Sequence, residues 1–209
     1  EIGVRLVGSE MCIRDRNNQD LRVQRTKKAL ITTFSDLLET KSFDNITIQD
    51  LCEKANVRRS TFYRHFNDKY DLLNHIVGTL IEYFRTLHLP EIDPKDPRQF
   101  FNKFMKDILL FISDNKAMVK SVISINIYSE VYQILYNQIY AVVKRQIEFD
   151  KQIGQFYIDE FIYGEFLAGG ILSVILNWIQ YGQQSIDDVS SDIVTMICGA
   201  REVHLKLLK

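Results

Sequence analysis

RRSTFYRHF, residues 58–66, sets three arginines, a histidine and a tyrosine around two phenylalanines. On a helix each residue turns the direction by about 100°. Phe62 and Phe66, four apart, therefore share one face, and Arg59, Ser60, Tyr63 and Arg64 point broadly the other way. Burying a phenylalanine stabilises by about 1.5–3 kcal/mol, so the first face reads as scaffold, packed on Leu51, Val57 and Leu72. The second face carries cationic heads and hydroxyls. Such a face suits a polyanion, because hydroxyls donate to phosphate oxygens and arginine takes a guanine edge bidentately. A merely solvated helix can show the same pattern, so the flanking sequence has to decide.

The flanks are helical. In TIQDLCEKA (47–55), Thr47 is followed three residues later by Asp50, a capping-box spacing with Asp in place of Glu or Gln. Ile48, Leu51, Cys52 and Ala55 fall on one face. Asn56-Val57 ends that helix, since asparagine tolerates the left-handed conformation such an end needs. A second short helix is expected from Arg59 to Phe66, after which Asn67-Asp68 caps a longer one, Lys69 to about Leu87. Helix, turn of about three residues, helix is the helix-turn-helix plan. Upstream, Leu21–Glu39 shows an apolar stripe through Val23, Ala29, Leu30, Phe34, Leu37 and Leu38, and Asp44-Asn45 marks a turn. Lys69 adds a charge beside the orphan N–H groups of its own helix, which themselves favour anions.

The rest of the chain bounds this reading. Of 209 residues, 46% are hydrophobic and 25% charged, which argues for a globular fold. Three prolines, all between Pro90 and Pro97, and few glycines leave long uninterrupted helical patterns, so the expected class is all-α. The net charge is −1, yet Lys54, Arg58, Arg59, Arg64 and Lys69 face a single acid, Asp68, between 54 and 69. A nucleic-acid reader can be neutral overall if its charge is concentrated where it docks. Cys12, Cys52 and Cys198 show no metal or disulfide spacing, which suits a reducing cytosol and leaves no metal or cofactor implied. FLAGGILSVILNWI (166–179) is shorter than the ~18 apolar residues of a membrane span and reads as a buried helix. EIGVRLVGSEMCIRDR (1–16) lacks a helical period and an uninterrupted apolar region, so it is no signal peptide and reads as a non-native or disordered extension. LPEIDPKDP (89–97) is the best linker. The expected division is an extension at 1–16, a helix-turn-helix domain at 17–75 and a helical regulatory and dimerisation domain at 76–209.

RRSTFYRHFNDKYDLL (58–73) resembles the signature of the TetR/AcrR family of bacterial transcription regulators. The resemblance runs from Arg25 to about Leu73. It includes Phe43-x-x-Ile46-Thr47-Ile48, the Ala55-x-Val57 turn and Tyr63-x-His65-Phe66-x-x-Lys69-x-x-Leu72. It implies a three-helix DNA-binding domain followed by a helical bundle. Carried over residue by residue, it implies phosphate contacts at Thr47, Tyr63, His65 and Lys69, and a base or phosphate contact at Gln49. Base reading falls to Arg59, Ser60 and Thr61, with Arg64 adding sequence preference. Arg58 stands where members often have a Ser or Thr cap, which leaves open whether Arg58 or Arg59 reads bases; Asn56 stands where they often have glycine.

The same resemblance implies a homodimer on a palindromic site of double-stranded DNA, with two recognition helices about 34–36 Å apart. The two last long helices would form its interface, with Gly169 and Gly170 allowing close approach and Trp178, Tyr181 and Met196 supplying contact area. Phe104, Phe111, Tyr128, Tyr132, Tyr136 and Tyr163 are candidates to line a small-molecule effector site, against the plainer reading that they are core. The 166–182 segment is similar, more weakly, to a subgroup that includes dihydroxyacetone-kinase operon regulators. The function implied is a ligand-responsive, cytoplasmic, nucleoid-associated repressor. An activator, a coactivator-dependent regulator, or a helical interaction module that has lost DNA binding remain alternatives. An enzyme is disfavoured: no HExxH, GxSxG, Walker loop or GxGxxG occurs, and His65, His75, His88 and His204 share no metal spacing.

Overall fold

A computed structural model of the chain describes residues 21–88, 93, 96–123 and 129–207. The 1–16 extension, Tyr128 and most of the 89–97 linker lie outside the described residues. The described chain is all-α apart from one small ribbon. Its helices are α1 (Leu21–Leu38), α2 (Ile48–Lys54), α3 (Arg59–Phe62), α4 (Lys69–His88), α5 (Arg98–Asp114), α6 (Lys116–Val122), α7 (Glu130–Ile153), α8 (Glu160–Tyr181) and α9 (Ile186–His204). A 3-10 turn, Phe43–Asn45, precedes α2.

Two compact units emerge. The first holds the described residues up to Tyr83 together with those of Asp114–Ile134. The second holds Phe84–Ser113 and the described residues from Leu135 onward. The expected division at 75 thus falls inside α4, and α6 groups with the first unit. There it packs on α1, with the Ser121 hydroxyl donating to the Leu38 carbonyl at 2.9 Å. The core of the first unit is Leu30, Phe34, Phe43, Ile46, Leu51, Phe62 and Leu72, all essentially inaccessible. Leu30, Phe34 and Leu37 follow helical spacing on α1, which is the stripe the sequence shows.

In the second unit, Phe100, Phe104, Leu109, Val143, Ile147, Leu167, Leu172, Leu176, Ile193 and Val194 are buried. Asp159 and Ser185 cap α8 and α9, each accepting from a backbone N–H three residues on. Two features depart from the sequence reading. Gly154–Phe156 (β1) and Leu205–Leu207 (β2) pair antiparallel, with Gln155 opposite Lys206, and join the end of α7 to the end of α9. The pairing is non-local, so the helix period conceals it. The apolar run also continues beyond 166–179: α8 has 22 residues and is long and apolar enough, by length and composition, to cross a membrane. One of its faces, through Tyr163, Leu167, Leu172, Ile175 and Ile179, is buried in the unit.

Between α7 and α9 lies a buried ion pair. Arg201 Nε and Nη2 donate to the two oxygens of Asp150, both at 3.0 Å, and the side chains are 7% and 2% exposed. Gln146 Nε2 adds a third bond to the carboxylate at 2.9 Å. Tyr163 packs beside this pair against Phe156 and His204. Its phenol is pushed up to about 12, first by burial and then by the Asp150 charge.

Candidate nucleic-acid interface

The site is assembled from backbone upward. Thr47 sits in extended conformation ahead of α2 and its Oγ1 accepts from the Asp50 N–H at 3.1 Å. Asp50 returns the bond, accepting from the Thr47 N–H at 3.0 Å and from its hydroxyl at 2.9 Å. The expected capping box is therefore complete, and these bonds hold the Asp50 carboxyl below its usual range. It also commits the Thr47 hydroxyl proton to Asp50. Gln49 is exposed and donates to Glu53 one turn on at 2.8 Å.

The exit from α2 explains the departure at Asn56. Its φ is +54°, the left-handed region that most side chains resist. Val57 N–H donates to the Cys52 carbonyl (2.9 Å) and Asn56 N–H to the Glu53 carbonyl (3.2 Å), the two bonds of a Schellman ending. The chain then reverses into α3. Arg58 occupies the N-cap position with extended dihedrals and no side-chain cap, while its carbonyl accepts from Thr61 and Phe62 N–H groups at 2.8 and 3.1 Å. The helix begins at Arg59 without help from a side-chain oxygen.

The recognition helix is shorter than the sequence reading has it. The α-helix stops at Phe62, and Tyr63–His65 continue as a tight turn, with His65 N–H donating three residues back to Phe62. The cause lies just downstream. Asp68 accepts from the Tyr70 and Asp71 N–H groups, both at 2.8 Å, and Asp71 accepts from the Asn67 N–H at 2.9 Å, so the start of α4 is fixed and 63–67 must bend into it. Phe62 and Phe66 are buried and in ring contact, as the scaffold face requires. Arg58, Arg59, Ser60, Tyr63 and Arg64 are exposed, and Thr61 and His65 half-buried. α2 and α3 thus form a helix-turn-helix with a cationic, hydroxyl-bearing outer face.

Two lysines make contacts that the sequence does not display. Lys69, expected at a phosphate, has its Nζ within 2.9–3.1 Å of the carbonyl oxygens of Phe43, Asp44 and Ile46. Lys27, which the sequence reading placed in no site, has its Nζ 5.9 Å from the centre of the Phe66 ring. Its position four before Ile31 and seven before Phe34, on the buried stripe of α1, is the signal that points it there. His65 is held below its ordinary value of 6.5, chiefly by burial and then by the charges of Lys27 and Arg64.

Four of the expected effector-lining residues have ring neighbours within the second unit. Phe104 stacks on Phe100, Phe111 meets Phe84, Tyr136 stacks on Tyr140, and Tyr163 meets Phe156 and His204. Tyr132 belongs to the other unit. A groove of about 440 Å³ in the second unit is lined by Tyr140, Lys144, Ile147, Glu148 and residues 158–161, none of them in the expected set.

Comparison with known proteins bears on the family and the fold. The model for bacterial regulatory proteins of the tetR family matches residues 31–76, and the model for a transcriptional regulator C-terminal region, TetR_C_8, matches 99–199. The chain belongs to the TetR family. An HTH-type transcriptional regulator of Bacillus subtilis, YxbF, is 42% identical over 66 residues, 31% of this chain and 17% of that protein. The HTH-type dhaKLM operon transcriptional activator DhaS of Lactococcus lactis is 33% identical over 51 residues, 24% of this chain and 27% of that protein. The chain thus spans well under half the length of these curated relatives. Among solved structures, a TetR transcriptional regulator from Streptococcus agalactiae superposes with a TM-score of 0.58 at 22% identity, covering 84% of this chain and 95% of that one. That likeness is one of fold, and the fold and family are those of transcriptional regulators rather than enzymes.

Proposed function

We propose that the chain is a sequence-specific DNA-binding transcription regulator that works as a homodimer on a palindromic operator. The observation that carries this reading is the outer face of the helix-turn-helix: Arg59, Ser60 and Tyr63 are exposed on a short helix and the turn that follows it, whose other side is locked by Phe62 and Phe66. Arg59, Ser60 and Thr61 read base edges, with Arg58 and Arg64 at the margins. Tyr63, His65 and Gln49 meet phosphates, and Thr47 serves through its cap. A cytoplasmic location follows from this role.

The dimer surface is assigned to α8 and α9. Phe166, Gly170 and Val174 recur every four residues on one exposed face of α8, and Tyr181 is exposed at its end. On α9, Met196 and Val203 are exposed, with the half-buried Gly199 between them. A Cβ built on Gly169, Gly170 or Gly199 meets no atom within 4 Å, which leaves room for a second backbone. Trp178 is held in place by its indole N–H, which donates to the Gln184 carbonyl of its own chain at 3.1 Å. Where an effector acts, it must bind one dimer geometry better than the other by the free energy that DNA affinity changes. α4, whose residues contribute to both units, is the candidate lever. Repression is the default sign of such control, with activation the alternative that the name of DhaS brings to mind.

The test is retention of genomic fragments from the source organism on purified protein. The account expects a few fragments to be retained by the wild type and lost with Arg59→Ala combined with Tyr63→Phe. A folded dimer that retains none overturns it.

A further inference from the structure

We propose that Lys27, from α1, is a further DNA contact: its ammonium binds the backbone phosphate that His65 meets, so that α1 and the Tyr63–His65 turn hold one phosphate between them. The proposal rests on the DNA-binding reading above and adds to it a residue outside the helix-turn-helix. Between Leu21 and Lys28, α1 carries Arg22, Arg25, Lys27 and Lys28, and the helix holds no acid before Asp36. Cations near a helix N-terminus oppose its dipole, so this charge serves something other than α1 itself. Lys27 differs from the others in where it stands. It lies on the buried stripe of α1 and is half-buried, whereas Arg22, Arg25 and Lys28 are exposed. A lysine so placed lays its apolar stem along the core and brings its ammonium to the surface.

The ammonium comes out 5.9 Å from the centre of the Phe66 ring, at the outer limit of cation–π attraction. Phe66 directly follows Tyr63, Arg64 and His65, so Lys27 stands at the turn that leaves the recognition helix. His65 is half-buried there. Its pKa is lowered first by burial and then by the Lys27 and Arg64 charges, so the three groups lie close enough to feel one another. Among the described residues no carboxylate pairs with Lys27 or Arg64. Like charges gathered from two elements without a counter-ion repel in the free protein, and an arriving phosphate relieves that repulsion. The three ammonium donors of Lys27 make no hydrogen bond among the described residues, so turning to a phosphate forfeits one weak ring contact and nothing more.

The experiment uses the full chain as wild type, Lys27→Met, Lys27→Arg and Lys28→Met, with the duplex enriched by selection from random sequences. Fluorescence anisotropy gives the affinity over a range of salt concentrations. Lys27→Met is expected to bind more weakly, with a slope of log affinity against log salt shallower by about 0.9, as one lost phosphate contact implies. The weakening is expected to be equal on matched and mismatched duplexes, because a phosphate carries no sequence information. Lys27→Arg keeps the charge and is expected to keep the wild-type slope. Lys28→Met removes an equal charge one residue along and is expected to leave the slope close to that of the wild type. A Lys27→Met line parallel to the wild type overturns the proposal in favour of a brace on the Phe66 ring. Equal slope changes in Lys27→Met and Lys28→Met overturn it in favour of a diffuse field. A second readout needs no variant: acetic anhydride labels Lys27 in the free wild type, and bound duplex is expected to protect it. Labelling that the duplex does not diminish overturns the proposal. If the wild type enriches no duplex, the DNA-binding reading fails and the proposal falls with it, whereas wild-type binding that Lys27→Met leaves unchanged defeats the proposal alone.

Discussion

Replacing Arg201 by methionine isolates the buried Asp150–Arg201 pair that ties α7 to α9. The guanidinium supplies two of the three hydrogen bonds that the Asp150 carboxylate receives, both at 3.0 Å, and leaves only the Gln146 amide behind. Asp150 is 2% exposed, so water cannot take over. Each hydrogen bond to a charged group contributes about 1.5–3 kcal/mol net, which puts the loss at about 3–6 kcal/mol. The range measured for breaking buried ion pairs, about 3–5 kcal/mol, agrees. Asp150→Leu alone removes the buried carboxylate to which Arg201 donates two bonds and is expected to cost a similar amount. The double variant Asp150→Leu with Arg201→Met removes both charges and is expected to lie within about 1–2 kcal/mol of the wild type, because a buried pair's desolvation nearly cancels its attraction. Urea unfolding of all four proteins at one fixed protein concentration gives the cycle, the fixed concentration being needed because a dimer's stability depends on it. A single variant that loses less than about 1 kcal/mol, or a double that is as unstable as the two singles summed, refutes the reasoning.

Further outcomes follow from the same geometry. Arg59→Ala is expected to weaken operator binding by about 1–3 kcal/mol and relax preference at one base position, while Tyr63→Phe weakens binding to all sequences alike; equal effects on matched and mismatched duplexes for Arg59→Ala contradict its role. His65 has its pKa lowered below 6.5, so its contribution to stability is fully present above that pH and is lost as pH falls through the lowered value. A neighbouring phosphate reverses that preference, so operator affinity should rise on acidification below 6.5, and His65→Gln should flatten the profile in binding titrations. Tyr163, held at about 12, should stay protonated where free tyrosine ionises, and its raised pKa makes its share of stability disappear as pH rises from about 10 toward 12. Ultraviolet titration of wild type against Tyr163→Phe checks this, and a Tyr163 that ionises near 10 contradicts its burial beside Asp150.

What the sequence discloses is local. The Thr47–Asp50 box, the Asn56 reversal and the Phe62–Phe66 face each depend on residues close together in the chain, and the structure realises all three. What it hides depends on distant groups. The recognition helix ends at Phe62 because Asp68 and Asp71 fix the next helix, a competition that periodicity does not display. Lys69 reads as a free charge until a turn more than twenty residues away presents its carbonyls. Asp150 and Arg201, fifty-one residues apart, look like surface charges on amphipathic helices until α7 and α9 are brought together. Aromatic residues at helical spacing fit a core and a cavity equally well, so the sequence does not show that Tyr136 meets Tyr140 and Tyr163 meets Phe156.

The central claim is that two copies of the Arg59–Arg64 face read DNA together. Selection of random-sequence duplexes on the purified, folded protein tests it directly. The account predicts enrichment of an inverted repeat whose half-sites lie about one helical turn apart or a multiple of it, and loss of that enrichment with Arg59→Ala. A dimer that enriches no sequence, or enriches the same one after Arg59→Ala, contradicts it.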